Sequence, residues 1–200
     1  MKKNMRVSII VFFAAISIAF SQTKKNVPFE NISLKASYNE AFEQPNWVRY
    51  QVRDAPKRVS RSGMSFYKHP KIHTSNGDDY EFNDWDKGHL APAGAFMDDK
   101  HRLKATFTYI NVALQHYKLN RGTWKSLESN VYKWAKKRGT IDVFIELVFE
   151  PGHKVLNTRA HVPTGFRKHI TFSNGSKKCY YFPNTIPTKK WNKHQIKCKI

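Results

Sequence analysis

An α+β architecture, with a mixed or antiparallel sheet and one main helix, is what the apolar pattern of this chain demands. Apolar runs rich in β-branched and aromatic residues stand on both sides of a single strong helical period. Those runs do not alternate regularly with helices, as a parallel βαβ array would require. The length, 200 residues, suits one domain with a sizeable core.

The elements follow in order. Residues 1–21 read as an export leader. Lys2, Lys3 and Arg6 precede an apolar stretch of 14 residues, Val7 to Phe20, and small residues at Ala19 and Ser21 mark cleavage after Ser21. A membrane span needs about 20 apolar residues, so the mature chain is expected to carry no membrane anchor and to be secreted or periplasmic. Residues 22–45 are polar with few periodic apolar positions and read as an N-terminal arm. The domain proper is expected over 46–200. Its first strand is Trp47 to Arg53, where the composition becomes β-branched and aromatic. Residues 54–80 hold prolines, glycines and charges and read as a long connection of the kind that often carries function. Phe107 to Leu114 reads as a strand running into a loop at Gln115-His116. Trp124, Leu127, Val131, Trp134 and Ala135 keep helical spacing, and Gly139 is a stop signal. Ile141 to Phe149 is a central strand ended by Pro151-Gly152, and 159–172 and 178–183 are further strands.

Composition narrows the partner. Lys and Arg total 35 against 15 Asp and Glu, a net charge of +20. Loss of the leader removes three cations and no anion, so the mature chain is +17. This balance favours a polyanion: nucleic acid, an anionic lipid surface or an acidic polysaccharide. The only two cysteines, Cys179 and Cys198, both lie near the C-terminus, and in an exported protein they are expected to pair.

The chemistry concentrates in two blocks. Asp86-Lys87-Gly88-His89 sets an acid, a cation, a flexible residue and an imidazole on successive positions. A histidine here can accept a proton near neutral pH. Asn120-Arg121-Gly122-Thr123-Trp124-Lys125-Ser126-Leu127-Glu128 is a polar set opening an amphipathic helix. The Asn120 carbonyl oxygen suits a hard ion such as Mg²⁺, which keeps much of its water and takes few protein ligands. At about 100° per residue, Glu128 is turned only about 80° from Asn120, within reach of that ion's waters. Alone, Asn120 also reads as a helix N-cap and His89 as a structural loop histidine. Trp124, Leu127 and Val131 read as core, and the cations from Lys133 to Arg138 as a solvated helix end that complements the dipole.

Together these blocks resemble the DNA/RNA non-specific endonuclease family with the ββα-metal active site. Its Asp-Arg-Gly-His signature is matched by Asp86-Lys87-Gly88-His89, its asparagine-bearing strand by Thr106 to Asn111, and its Asn-x-Gly-x-Trp-x-x-Leu-Glu by Asn120 to Glu128. Trp47-Val48-Arg49-Tyr50, Arg61 to Phe66, Val162 to Lys168 and Phe182-Pro183-Asn184 extend the likeness over roughly residues 45–186. The resemblance implies a ββα-metal fold and hydrolysis of DNA and RNA with little sequence preference. The implied cofactor is Mg²⁺, with Mn²⁺ as the alternative. It makes His89 the general base, Asn120 the direct metal ligand and Glu128 a group holding metal-bound water. Asn111 organises the site, and Arg61 and Lys87 bind substrate phosphate, with Arg58 an alternative to Arg61. Lys87 departs from the family's arginine, keeping the charge and losing the bidentate fork.

Two readings of other classes remain at this point: a nucleic-acid-binding protein without catalysis, and a cationic protein directed at lipid or polysaccharide. DNA or RNA preference, an inhibitor partner and oligomeric state are not legible.

Overall fold

A computed structural model describes residues 25–198. The expected leader, 1–21, and its cleavage point lie outside them. Among the described residues no helix is long and apolar enough to cross a membrane.

Seven strands form one sheet in the order β1-β2-β3-β6-β7-β8-β9, every neighbouring pair antiparallel. They are β1 (Val27–Glu30), β2 (Leu34–Asn39), β3 (Gln44–Val52), β6 (Ile141–Val148), β7 (Gly165–Thr171), β8 (Lys177–Pro183) and β9 (Gln195–Ile196). A separate hairpin pairs β4 (Trp85–His89) with β5 (Val112–His116). Among the described residues two α-helices complete the frame, α1 (Lys100–Ala105) and the main helix α2 (Lys125–Arg138).

The central strand shows why the sheet forms. In β6, Ile141, Val143, Ile145 and Leu147 are buried while the residues between them are partly exposed, the period-2 alternation of a half-covered strand. Helix α2 covers that face. Its Leu127, Val131 and Ala135 are buried, and Gly139 ends it with φ 81°, a conformation that costs glycine least. Trp124, at the mouth of α2, is fully buried between Phe166 at 5.4 Å and Phe182 at 5.6 Å.

Three expectations change. The segment expected to be an arm, 22–45, carries β1 and β2 of the main sheet. These strands escape composition because Pro28 sits on the edge strand, where no ladder donor is needed there. In β2 the buried Ser37 is satisfied by a hydrogen bond from Asn46 Nδ2 at 3.0 Å rather than hidden by apolarity. The strand expected from Phe107 starts only at Val112. Tyr109–Asn111 is a tight helical turn, capped by Thr108 Oγ1, which accepts from the Ile110 N–H at 3.3 Å. The strand expected over 159–172 is shortened to β7, Gly165–Thr171.

The long connection at 54–80 is largely irregular, as expected. It packs Met64 and Phe66 against a second apolar cluster of Ala93, Leu103 and Phe107, and so brings this segment beside the end of β4.

Candidate active site

Gly88 makes the β4–β5 hairpin possible. A Cβ at Gly88 would stand 2.5 Å from Gln115 Oε1 and 2.6 Å from Gln115 Cβ. Only glycine lets the two strands close here. The register sets Asp86 opposite Gln115 and His89 opposite Val112.

Asn111 locks the chain just past His89. Its Oδ1 accepts from the Ala91 N–H at 2.8 Å, and its Nδ2 donates to the carbonyls of Ala91 and Thr106, both at 2.9 Å. The residue is fully buried, and both its amide protons are used on backbone. Its place is that of a brace.

His89, at the end of β4, is held between aromatic rings, with Phe66 at 4.9 Å and Phe107 edge-on at 5.0 Å. Its Nε2 is buried with no hydrogen-bond partner. Enclosure away from water, with the Arg61 charge second, pushes its pKa down to about 4. The imidazole is therefore neutral near pH 7, with a nitrogen lone pair or proton to offer. Arg61 itself is exposed, on the connection that also delivers Phe66. Lys87 lies over the Tyr80 ring, 5.6 Å from its centroid.

Asp86 draws the second block onto the hairpin. Its Oδ2 accepts from Asn120 Nδ2 at 2.9 Å and from Arg121 Nε at 2.9 Å, and its Oδ1 from Arg121 Nη2 at 2.6 Å. Two successive side chains reach one carboxylate because Leu119–Trp124 winds as a wide π-type turn, with the α-helix starting at Lys125. Asn120 is thus no N-cap, and the 100° spacing from Asn120 to Glu128 does not hold through this turn. The bond to Asp86 uses the amide nitrogen of Asn120, not its oxygen.

Glu128 sits in the first turn of α2, its side chain 18 % exposed, with Oε1 at 3.7 Å from Lys168 Nζ. Lys168, on β7, has no exposed side-chain surface, and its ammonium lies 3.7 Å from the Trp124 ring centroid. Burial pushes the Glu128 carboxyl up while Lys168 pulls it back. Burial likewise pushes the Lys168 ammonium down to about 8 against the pull of Glu128.

The structure therefore joins Asp86, Asn120 and Arg121 by direct bonds, encloses His89 beside them on the same strand, and pairs Glu128 with Lys168. Arg61 acts electrostatically on His89. Sequence reasoning missed three groups. Arg121 lay inside a recognised block without a role, and Lys168 lay in a strand segment without one. Gln115 was read as the start of a loop. It is fully buried, and neither its amide oxygen nor its amide nitrogen has a partner. A polar residue beside a conformationally demanding Gly-His pair was its one available signal.

Among the described residues no three His, Cys, Asp or Glu side chains cluster into a metal cage. The Asn120 amide oxygen and the Glu128 carboxylate are the kind of oxygen donors that suit a hard divalent ion that keeps most of its water.

The sequence profile described as DNA/RNA non-specific endonuclease matches residues 14–199. Nuclease C1 of Cunninghamella echinulata var. echinulata is 28% identical over 176 residues, 79% of this chain and 70% of that protein. The mitochondrial nuclease EXOG of Danio rerio is 29% identical over 97 residues, 46% of this chain. That stretch is only 28% of the EXOG length, so this chain matches about a quarter of the fish protein. Among solved structures, a chain of the EndoG/EndoGI complex, described as showing the mechanism of EndoG inhibition, superposes with a TM-score of 0.78 at 24% identity. The match covers 85% of this chain and 80% of that one. The antiparallel sheet, the hairpin and the helix that follows it are the ββα arrangement of that fold. With the match running nearly end to end, the chain belongs to the DNA/RNA non-specific endonuclease family.

Proposed function

We propose that this protein is an exported, metal-dependent endonuclease that hydrolyses phosphodiester bonds of DNA and RNA with little sequence preference. The observation that carries the reading is His89. Its ring is desolvated, neutral and aromatic-caged, its Nε2 is unpartnered, and Asp86 on the same strand holds Asn120 of the following turn. Family membership and the resemblance to named nucleases support it.

In this mechanism His89 takes a proton from the attacking water, acting as general base. Phe66 and Phe107 hold the ring in one plane and keep competing water away. Asn111 fixes the backbone that aims it. Arg61 and Lys87 neutralise phosphate charge as it builds on the non-bridging oxygens. Asn120 would hold Mg²⁺ or Mn²⁺ directly and Glu128 through water, with Asp86 orienting Asn120 and Lys168 facing Glu128 as its counter-charge. When bound, the ion supplies Lewis-acid charge to the phosphoryl and leaving oxygens.

Incubation of the purified mature protein with supercoiled plasmid and with RNA, each with Mg²⁺ or with excess EDTA, tests the reading. Cleavage of both polymers is expected, abolished by EDTA. Cleavage that survives EDTA would remove the metal, and no cleavage of either polymer would remove the enzyme. Export is tested by the intact mass of the protein recovered outside the cytoplasm, expected to begin at Gln22.

A further inference from the structure

A second feature opens from the same turn that carries Asn120. Between α2 and the C-terminal segment runs a groove of about 780 Å³. One wall is the solvent face of α2 and its entry turn, with Thr123, Ser126, Asn130 and Lys133. The other wall carries Lys189 and Lys190. No carboxylate lines it, in a chain that has 15.

Three properties distinguish this groove from a chance surface hollow. The first is a fixed far wall. Trp191 packs on Trp134 at 5.8 Å and on Tyr180 at 6.0 Å, His194 stacks on Phe182 at 4.6 Å, and the Cys179–Cys198 disulfide ties the end of the segment to β8. The second is the smoothness of the near wall. Ser126 and Ser129 fold back to donate to the carbonyls of Gly122 and Lys125, each at 3.0 Å, and Asn130 donates to the Ser126 carbonyl at 2.8 Å. A polyanion can thus approach the helix closely, meeting hydroxyl and amide groups and no acid. The third is continuity. Gly122 and Thr123 belong to the π-type turn whose Asn120 and Arg121 bind Asp86, so the groove begins where the candidate site ends. From Gly122 to Lys133 the helix rises about 16 Å, more than one nucleotide's length of backbone.

We propose that this groove is a track for the phosphate backbone of one substrate strand beyond the scissile bond, with Lys133, Lys189 and Lys190 as its phosphate-binding cations. The inference rests on the nuclease reading of the adjoining site. It implies that strands long enough to fill the groove bind more tightly than short ones, and that three of the chain's many cations account for a specific share of affinity.

The test measures binding apart from cleavage. A fluorescent single strand of about 12 nucleotides, within the span of known single-strand sites, is titrated by anisotropy in EDTA across a salt series. The parent is compared with the variant Lys133→Gln/Lys189→Gln/Lys190→Gln. A charge-matched control is Lys100→Gln/Lys104→Gln/Lys177→Gln, three exposed lysines outside the groove. All six positions are exposed, so folding should be kept, and equal thermal midpoints will confirm it. The groove variant should bind about tenfold or more weakly at low salt, and its log–log salt slope should fall by about 2, from about 0.7 per single-strand phosphate contact. The control should lose far less. Equal losses in the two variants would overturn the track, leaving only a diffuse field. Parent cleavage of the same strand with Mg²⁺ is scored separately. Its absence would defeat the nuclease reading without altering the binding result.

Discussion

At His89 one side chain carries both a catalytic and a stability consequence. His89→Ala should lower turnover by roughly 10²–10⁴, with little change in nucleic-acid affinity, because the base is lost and the charge is kept. Plasmid nicking beside a binding assay checks this. Because burial holds the folded pKa near 4, the acid limb of kcat/KM should lie near pH 4 to 5, below that of an exposed imidazole. The same shift gives a stability window. The folded pKa lies below the unfolded one, so this contribution is fully present above about pH 6.5 and is lost as pH falls toward 4, by roughly 3 kcal/mol. Urea unfolding of parent and His89→Phe at both ends of that range should show the difference shrinking in the variant. Lys168 obeys a different rule. Lys168→Met leaves the Glu128 carboxylate without its cation and should cost about 3–5 kcal/mol, whereas Lys168→Met/Glu128→Gln should recover much of it. Urea denaturation of the two variants decides between a paired charge and mere packing.

The β4–β5 hairpin and the π-type turn act as one unit at the scale of elements. Asp86 spans them, 34 residues from Asn120 and 35 from Arg121 in sequence. Asp86→Ala should therefore leave the fold nearly intact, since Arg121 is largely exposed and an exposed ion pair adds little to stability. It should still raise the Mg²⁺ concentration needed for half-maximal cleavage, because Asn120 loses its orientation. A metal titration with an unchanged midpoint would separate Asp86 from the ion. Gly88→Ala attacks the hairpin itself. The added methyl meets Gln115 at its Cβ, which cannot swing aside, so the strands must part. The expected cost is about 1–3 kcal/mol in thermal or urea unfolding, with activity falling further than stability because Asp86 and His89 flank the displaced position.

Charge and the C-terminal tie set the behaviour of the molecule as a whole. A mature chain of +17 should bind nucleic acid with steep salt dependence and weak sequence preference. Affinity measured at low and moderate salt on unrelated sequences checks both. The disulfide closes 19 residues of chain between β8 and the tail, and reduction should cost about 3 kcal/mol. Thermal unfolding with and without reductant measures it. A tail that stays packed through β9 and Trp191 would appear as a smaller loss.

Local regularities determined much of this protein from the sequence alone. The period of α2, the alternation in β6, the Gly139 stop, the pairing of two lone cysteines and the two motif blocks all depend on neighbours a few residues apart or on composition. The two blocks singled out His89, Asn120 and Glu128, and the family resemblance added Asn111, before any contact was known. Tertiary structure decided what those residues touch. Lys168 meets Glu128 across 40 positions of chain, and Gln115 becomes an orphaned buried amide only because Gly88 closes the hairpin over it. β1 and β2 join the sheet through edge placement and satisfied buried polars rather than through apolar pattern. Linear spacing encodes the period of an element and the order of its chemistry. Which side chains are desolvated, paired or left without a partner depends on the packing of distant segments, and that packing sets the pKa of His89 and the course of the groove beside it.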